Sequence, residues 1–186
     1  MKKAIALLLA LVMVFALCAC GGGDKGTADN GEKVVKIGVF EPSTGDSASG
    51  GKKEMLGMQY ANAETPTVEV GGVTYDVELV FADNGSTTDK APSAASQLVS
   101  EGVSLVLGSY GSGVSMAGGP IFGDAGLAAI GVTCTNPNVT AGNDHYFRIC
   151  FLDPFQGTVL ANFATEKFSA KKAYLLGEQG NEYDQG

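Results

Sequence analysis

Ser104-Leu-Val-Leu-Gly-Ser-Tyr-Gly-Ser-Gly-Val-Ser115 and Leu127-Ala-Ala-Ile-Gly-Val-Thr-Cys-Thr-Asn-Pro137 are two stretches of the same kind. In each, a short apolar run gives way to a loop of glycines and small hydroxyl residues. Runs of this length bounded by glycine read as buried parallel strands. In an open parallel sheet, ligands collect in the crevice at the carboxyl ends of the strands, so two such loops side by side would offer hydroxyls and backbone groups to one small polar ligand. Ser112 stands where the following helix points its unpaired N–H groups outward, a geometry that suits a carboxylate.

Working outward, the same pattern predicts strands at Val34–Phe40, Tyr75–Phe81, Val103–Leu107, Leu127–Val132 and Tyr146–Ile149, and a sixth at Ala173–Leu176. Helical stretches alternate with them. Ala91, Ala94, Ala95, Leu98 and Val99 make one apolar face. Leu56, Tyr60 and Ala63 form a stripe within Lys52–Glu64, and Phe155, Val159 and Phe163 form another within Pro154–Lys167. Asp89 and Asp153 are placed as N-caps. Between Ser112 and Ala125 the stripe is Val114, Ala117, Ile121 and Ala125, and Gly118, Gly119 and Pro120 predict a kinked or short helix. Strand alternating with helix predicts an α/β fold, a doubly wound, mostly parallel sheet with right-handed crossovers. Of the 186 residues 27 are glycine, and most stand at strand ends and turns, where a backbone can approach a ligand closely.

The first twenty residues have a different character. Met1-Lys-Lys3 is a basic start, Ala4 to Leu17 is apolar, and Leu17-Cys-Ala-Cys20 follows at once. This reads as a secretion signal, the apolar run being shorter than the roughly 20 residues that span a bilayer. Leu17, Ala19 and Cys20 resemble the lipobox of bacterial lipoproteins, which implies cleavage after residue 19 and acylation of Cys20. Residues 20–33 contain almost nothing that could be buried and read as a flexible tether. A globular body is expected from Val34.

The formal charge of −8 and a single arginine, Arg148, exclude nucleic acid as a partner. Once Cys18 is cleaved off and Cys20 acylated, Cys134 and Cys150 remain, too few for a disulfide framework. With one histidine, His145, and no Cys-x-x-Cys, a zinc site is not expected, and no cofactor is implied. Gly111-Ser-Gly113 falls short of the Gly-x-Ser-x-Gly nucleophile elbow, because Tyr110 and Val114 hold the outer positions. Gly45 to Lys53 does not meet the phosphate-binding Gly-x4-Gly-Lys-Ser/Thr pattern. An enzyme is not expected. Arg148, within a strand, reads as a structural ion-pair partner, and Asp153 and Gln156 as capping or hinge residues.

Several segments taken in order carry a resemblance. Val35-Lys-Ile-Gly-Val-Phe-Glu-Pro-Ser-Thr-Gly45, Phe81-Ala-Asp-Asn84, Ala94 to Gly102, Val106-Leu-Gly-Ser109, Cys134-Thr-Asn-Pro137, Phe147-Arg-Ile-Cys-Phe-Leu-Asp-Pro-Phe-Gln-Gly157 and Lys171-Lys-Ala-Tyr-Leu-Leu176 together resemble the type I solute-binding proteins of branched-chain amino acid ABC transporters. The resemblance implies two α/β lobes that close around one ligand and hand it to a membrane permease. It assigns residues 34–152 to the first lobe and 153–186 to the crossover and the start of the second, so that the chain reads as truncated and is expected to bind ligand weakly. By family position, Ser112 and the Gly113 N–H would hold an α-carboxylate. The Cys134 carbonyl and the Thr135 hydroxyl would hold an α-ammonium, and Tyr183 would face the ligand from the second lobe. The first loop, Asp46-Ser-Ala-Ser-Gly-Gly51, lacks the aromatic that often reaches the ligand there. The implied protein is an extracytoplasmic, lipid-anchored receptor for a small amino acid. A sensory module, or a receptor for amides, urea or aromatic acids, is the alternative.

Overall fold

The computed structural model describes residues 33–186, so the leader, Cys20 and the tether up to Glu32 lie outside the described residues. Six strands, β1 (Val34–Glu41), β2 (Thr67–Val70), β3 (Val73–Asp83), β4 (Leu105–Gly108), β5 (Ala129–Gly131) and β6 (Tyr146–Arg148), form one sheet in the order β2-β3-β1-β4-β5-β6. All neighbours run parallel except β2, which pairs antiparallel with β3. The helices are α1 (Ala48–Glu64), α2 (Ala91–Ser100), α3 (Ser112–Asp124), α4 (Asp153–Phe168) and the single turn α5 (Glu182–Gln185), with a 3-10 turn at Pro137–Val139.

The chain first steps from β1 outward to β3, then returns past β1 to β4 and continues to β5 and β6. Right-handed crossovers on a path that reverses place α1 on one face of the sheet and α2 and α3 on the other. Alternation along β1 matches this arrangement. A Cβ on Gly38 would meet Leu98 of α2, and the Phe40 ring packs edge-on against Phe122 of α3 with centroids 5.3 Å apart. Val39 and Glu41 point the other way. The core holds Phe40, Leu98, Val106, Val114, Phe122 and Tyr146 together with the Ala91, Ala94 and Ala95 face of α2.

Several expectations need correction. Ala173–Leu176 is not a strand: Tyr174, Leu175 and Leu176 are more than nine-tenths exposed, with no neighbouring strand among the described residues to take their backbone groups. The α1 stripe is rotated. Leu56 and Tyr60 face solvent, and the face toward the sheet carries Gly51, Glu54, Met55, Met58 and Asn62, whose Nδ2 donates to the Val77 carbonyl. Helix α3 runs 13 residues with Pro120 inside it, and buries Ser115, Gly118, Gly119 and Phe122. The two glycines let it lie tight on the sheet, since a Cβ on Gly118 would come within 2.6 Å of the Phe40 ring. Neither Asp89 nor Asp153 caps a helix, α2 starting after Lys90 and α4 after Leu152 without a side-chain cap bond. Strand β3 is half exposed rather than buried. It has β2 beyond it, a hairpin that the sequence reading missed.

Candidate ligand cleft

Loops at the carboxyl ends of β1, β3, β4 and β5, with the segment after β6 and residues 178–183, enclose a cleft of about 760 Å3. It lies at the point where the strand order reverses, the position open α/β sheets use for ligands. Ser112, Gly113, Thr135 and Tyr183 all line it. Cys134 does not: it is fully buried and its thiol packs beside Gly131.

Ser112 reaches the cleft because Gly111, at φ 102°, turns the chain sharply before α3. Ser112 is the first residue of that helix and makes no capping bond, which leaves the N–H groups of the first turn free of intrahelical partners. Its Oγ accepts the Asn136 N–H at 3.2 Å, tying the β4 loop to the β5 loop. Glu182 packs beside Gly113, and the Asn136 amide donates to the Glu182 carbonyl. Thr135 is 4% exposed, yet its Oγ1 has no hydrogen-bond partner. A buried hydroxyl in that state costs free energy until something pairs with it. The Tyr183 hydroxyl accepts from Gln156 Nε2 at 2.8 Å.

Arg148 sits behind the β5 loop. Among the described residues it has no ion-pair partner: its guanidinium donates instead to the carbonyls of Cys134, Asn136 and Pro137 and to Thr140 Oγ1. A planar fork of donors suits several carbonyls converging from one loop. The Cys134 carbonyl, assigned to an ammonium, therefore already carries one hydrogen bond. Both cysteines are free thiols, and burial pushes the Cys134 thiol up to about 11 and raises the Cys150 thiol as well.

On the other flank, Asp83 at the end of β3 joins two loops. Its Oδ1 accepts the N–H groups of Ser43, Thr44 and Gly85, and Oδ2 accepts the Thr44 hydroxyl at 2.6 Å. Desolvation, the largest single cause, pushes the carboxyl up, but the Thr44 hydroxyl and the three backbone N–H groups together outweigh it and hold the carboxyl well below the usual range. Ser86 Oγ completes the join, donating to the Thr44 carbonyl and accepting the Ser47 N–H.

Sequence reasoning passed over Ser47, Ser86, Thr87, Thr88, Thr133 and Tyr110, which also line the cleft. A signal for three of them was present, because Asn84-Gly-Ser-Thr-Thr88 repeats the pattern of an apolar strand running into small hydroxyls. Tyr110 bears on the missing aromatic. Its ring lies over Gly50, where a Cβ would come within 2.5 Å of it, so the β4 loop places an aromatic above the first loop.

A family model described as periplasmic binding protein matches residues 34–186. The chain belongs to that family. This binding protein is 31% identical over 152 residues to a Leu/Ile/Val-binding protein homolog of Brucella melitensis, an alignment covering 78% of the chain and 40% of the relative. A leucine-binding protein of Thermotoga maritima superposes with a TM-score of 0.68 at 38% identity, over 74% of this chain and 38% of that one. A solute-binding protein of an R. palustris ABC transporter, solved with 4-hydroxybenzoate, superposes at 0.69 with 27% identity, over 81% and 41%. The binding protein thus spans under half the length of these relatives. Their names are those of binding proteins and not of enzymes, in agreement with the sequence reading.

Proposed function

We propose that the cleft binds a small amino acid of the branched-chain type and that the protein delivers it to an ABC permease from an extracytoplasmic, lipid-anchored position. The observation that carries this reading is the charge of the lining. A helix N-terminus and seven serine and threonine residues face the cleft together with Asp46, Glu178 and Glu182, while among the described residues no lysine, arginine or histidine does. A bare anion would meet backbone and hydroxyl dipoles but no countercharge, among fixed negative charges. A zwitterion satisfies both, with its carboxylate at the start of α3 and its ammonium among the acceptors.

In this reading the Ser112 hydroxyl and the Gly113 N–H hold the carboxylate. Thr135 Oγ1 accepts from the ammonium, and the second lone pair of the Cys134 carbonyl assists. Tyr183 covers the ligand, and Tyr110 bounds its side chain. Cys20 carries the lipid. Residues 153–186 begin a second lobe, which the uncovered apolar stripe of α4 supports: Phe155, Val159 and Phe163 are all about half exposed or more. An aromatic acid is the second reading, favoured by Tyr110 and Phe151 in the lining and by the relative solved with 4-hydroxybenzoate.

The test is an NMR titration with leucine, isoleucine, valine and 4-hydroxybenzoate. A branched-chain amino acid is expected to shift the amide signals of Gly111 to Val114, and Ser112→Ala to weaken binding roughly tenfold, the loss of one charge-assisted hydrogen bond. Shifts with 4-hydroxybenzoate alone would replace the amino-acid reading by the second.

A further inference from the structure

Behind the cleft, on the face of the sheet covered by α1, two acidic side chains meet. Glu41, the last residue of β1, is 1% exposed, and its Oε2 accepts the Tyr110 N–H at 2.8 Å. Glu54, on the inward face of α1, accepts the Thr133 hydroxyl at 2.5 Å through Oε1. Helix α1 carries Glu54 one turn beyond Gly51, which lies against Pro42, the residue after Glu41, and each carboxyl keeps one buried oxygen, Glu41 Oε1 and Glu54 Oε2, that has no hydrogen-bond partner among the described residues. Two ionised carboxylates have only acceptors. A bond between them requires a proton.

We infer that Glu41 and Glu54 share one proton, and that this bond is a clamp positioning the Tyr110 and Thr133 walls of the cleft. The chain of contacts runs from the Tyr110 amide through Glu41 and Glu54 to the Thr133 hydroxyl, so one proton joins the β4 loop, the end of β1, α1 and the β5 loop. Among the described residues no side chain outside the pair donates to the two remaining oxygens. The titratable groups facing the pair from other elements are Tyr146 on β6 toward Glu41 and Cys150 beyond β6 toward Glu54, both neutral at pH 7. Burial first, and then the Glu54 hydrogen bond and charge, drive the Glu41 carboxyl far above the usual range, while the Tyr110 N–H opposes them. Below the ordinary carboxylate range both folded and unfolded chains hold the proton. Above that range the unfolded chain gives it up and the folded chain keeps it, so stability declines as pH rises, and when the proton finally leaves two adjacent carboxylates repel.

The experiment is carboxyl-carbon NMR of the chain labelled at glutamate, read across pH together with the Tyr110 and Thr133 amides. One glutamate carboxyl is expected to stay protonated through neutral pH and to vanish from the spectrum of Glu41→Gln, whose amide N–H takes over the role of the shared proton. In the unsubstituted protein the Tyr110 and Thr133 amides shift with that alkaline titration, and in Glu41→Gln they do not. If Glu41→Gln does not fold, Glu54→Gln replaces the proton from the other side and serves the same comparison. The inference is overturned if every glutamate titrates in the ordinary range, if the late-titrating signal survives the substitution, or if the two amides ignore it. Only the ligand readout rests on the proposed function. Leucine-induced shifts at Gly111 to Val114 are expected to fade at alkaline pH in the unsubstituted protein and to persist in Glu41→Gln. Absence of leucine binding at every pH would count against the amino-acid reading, while the carboxyl titration would still decide the clamp.

Discussion

Arg148 shows how one residue acquires a role that its neighbours in sequence do not reveal. A lone arginine in an acidic chain invites an ion pair, but its partners are three carbonyls and a hydroxyl of the loop 134–140. Replacing it by lysine keeps the charge and removes the fork, leaving partly buried carbonyls without donors. Arg148→Lys is therefore expected to cost at least about 2 kcal/mol in denaturant unfolding, and an unchanged midpoint would show that the loop holds itself. Ser112 and Thr135 were readable because small hydroxyls after an apolar strand are a local pattern. Asp153 was not: both its carboxylate oxygens are buried without partners, a state that depends on what folds over them.

At the scale of elements, composition named the helices and the inward face of α2 but misjudged the inward faces of α1 and α3. In α3 the apolar residues suggested one stripe, whereas the helix buries its glycines, because close approach to the sheet mattered more than apolar area. Gly118→Ala would gain about 1 kcal/mol in helix propensity. The added methyl meets the Phe40 ring, so net destabilisation of about 1–3 kcal/mol is expected in thermal unfolding. Asp83 works between elements, joining the loops that follow β1 and β3. With its carboxyl held low, its stabilisation is present above the ordinary aspartate range and is lost as pH falls through and below it. The melting temperature of Asp83→Ala should thus lie below that of the unsubstituted protein near neutrality, with the gap narrowing in acid. Because Asp83 is exposed, the effect is expected to be about 1 kcal/mol at most. Hairpin β2–β3 had a local signal in Gly71-Gly72, both at positive φ, between runs rich in valine and threonine. A search for parallel strands with helical connections passed over it.

For the molecule as a whole, the core is concentrated between the sheet and α2 and α3, and thins toward residues 153–186. Phe122 is fully buried against Phe40, whereas Phe163 on α4 is half exposed. Phe122→Ala is expected to cost about 3–5 kcal/mol and Phe163→Ala under about 1 kcal/mol. Equal losses in denaturant unfolding would mean that α4 is covered in solution. The sequence by itself determined the alternation of strand and helix, the parallel sheet and the hydroxyl loops that reach the cleft, because periodicity and strand-end composition act within a few residues of chain. Only the tertiary structure decided which faces of α1 and α3 turn inward, that Arg148 braces a loop, and that α1 brings Glu54 toward Glu41 at the end of β1. Those outcomes depend on contacts between residues far apart in the chain, through burial and hydrogen bonding that no local pattern records.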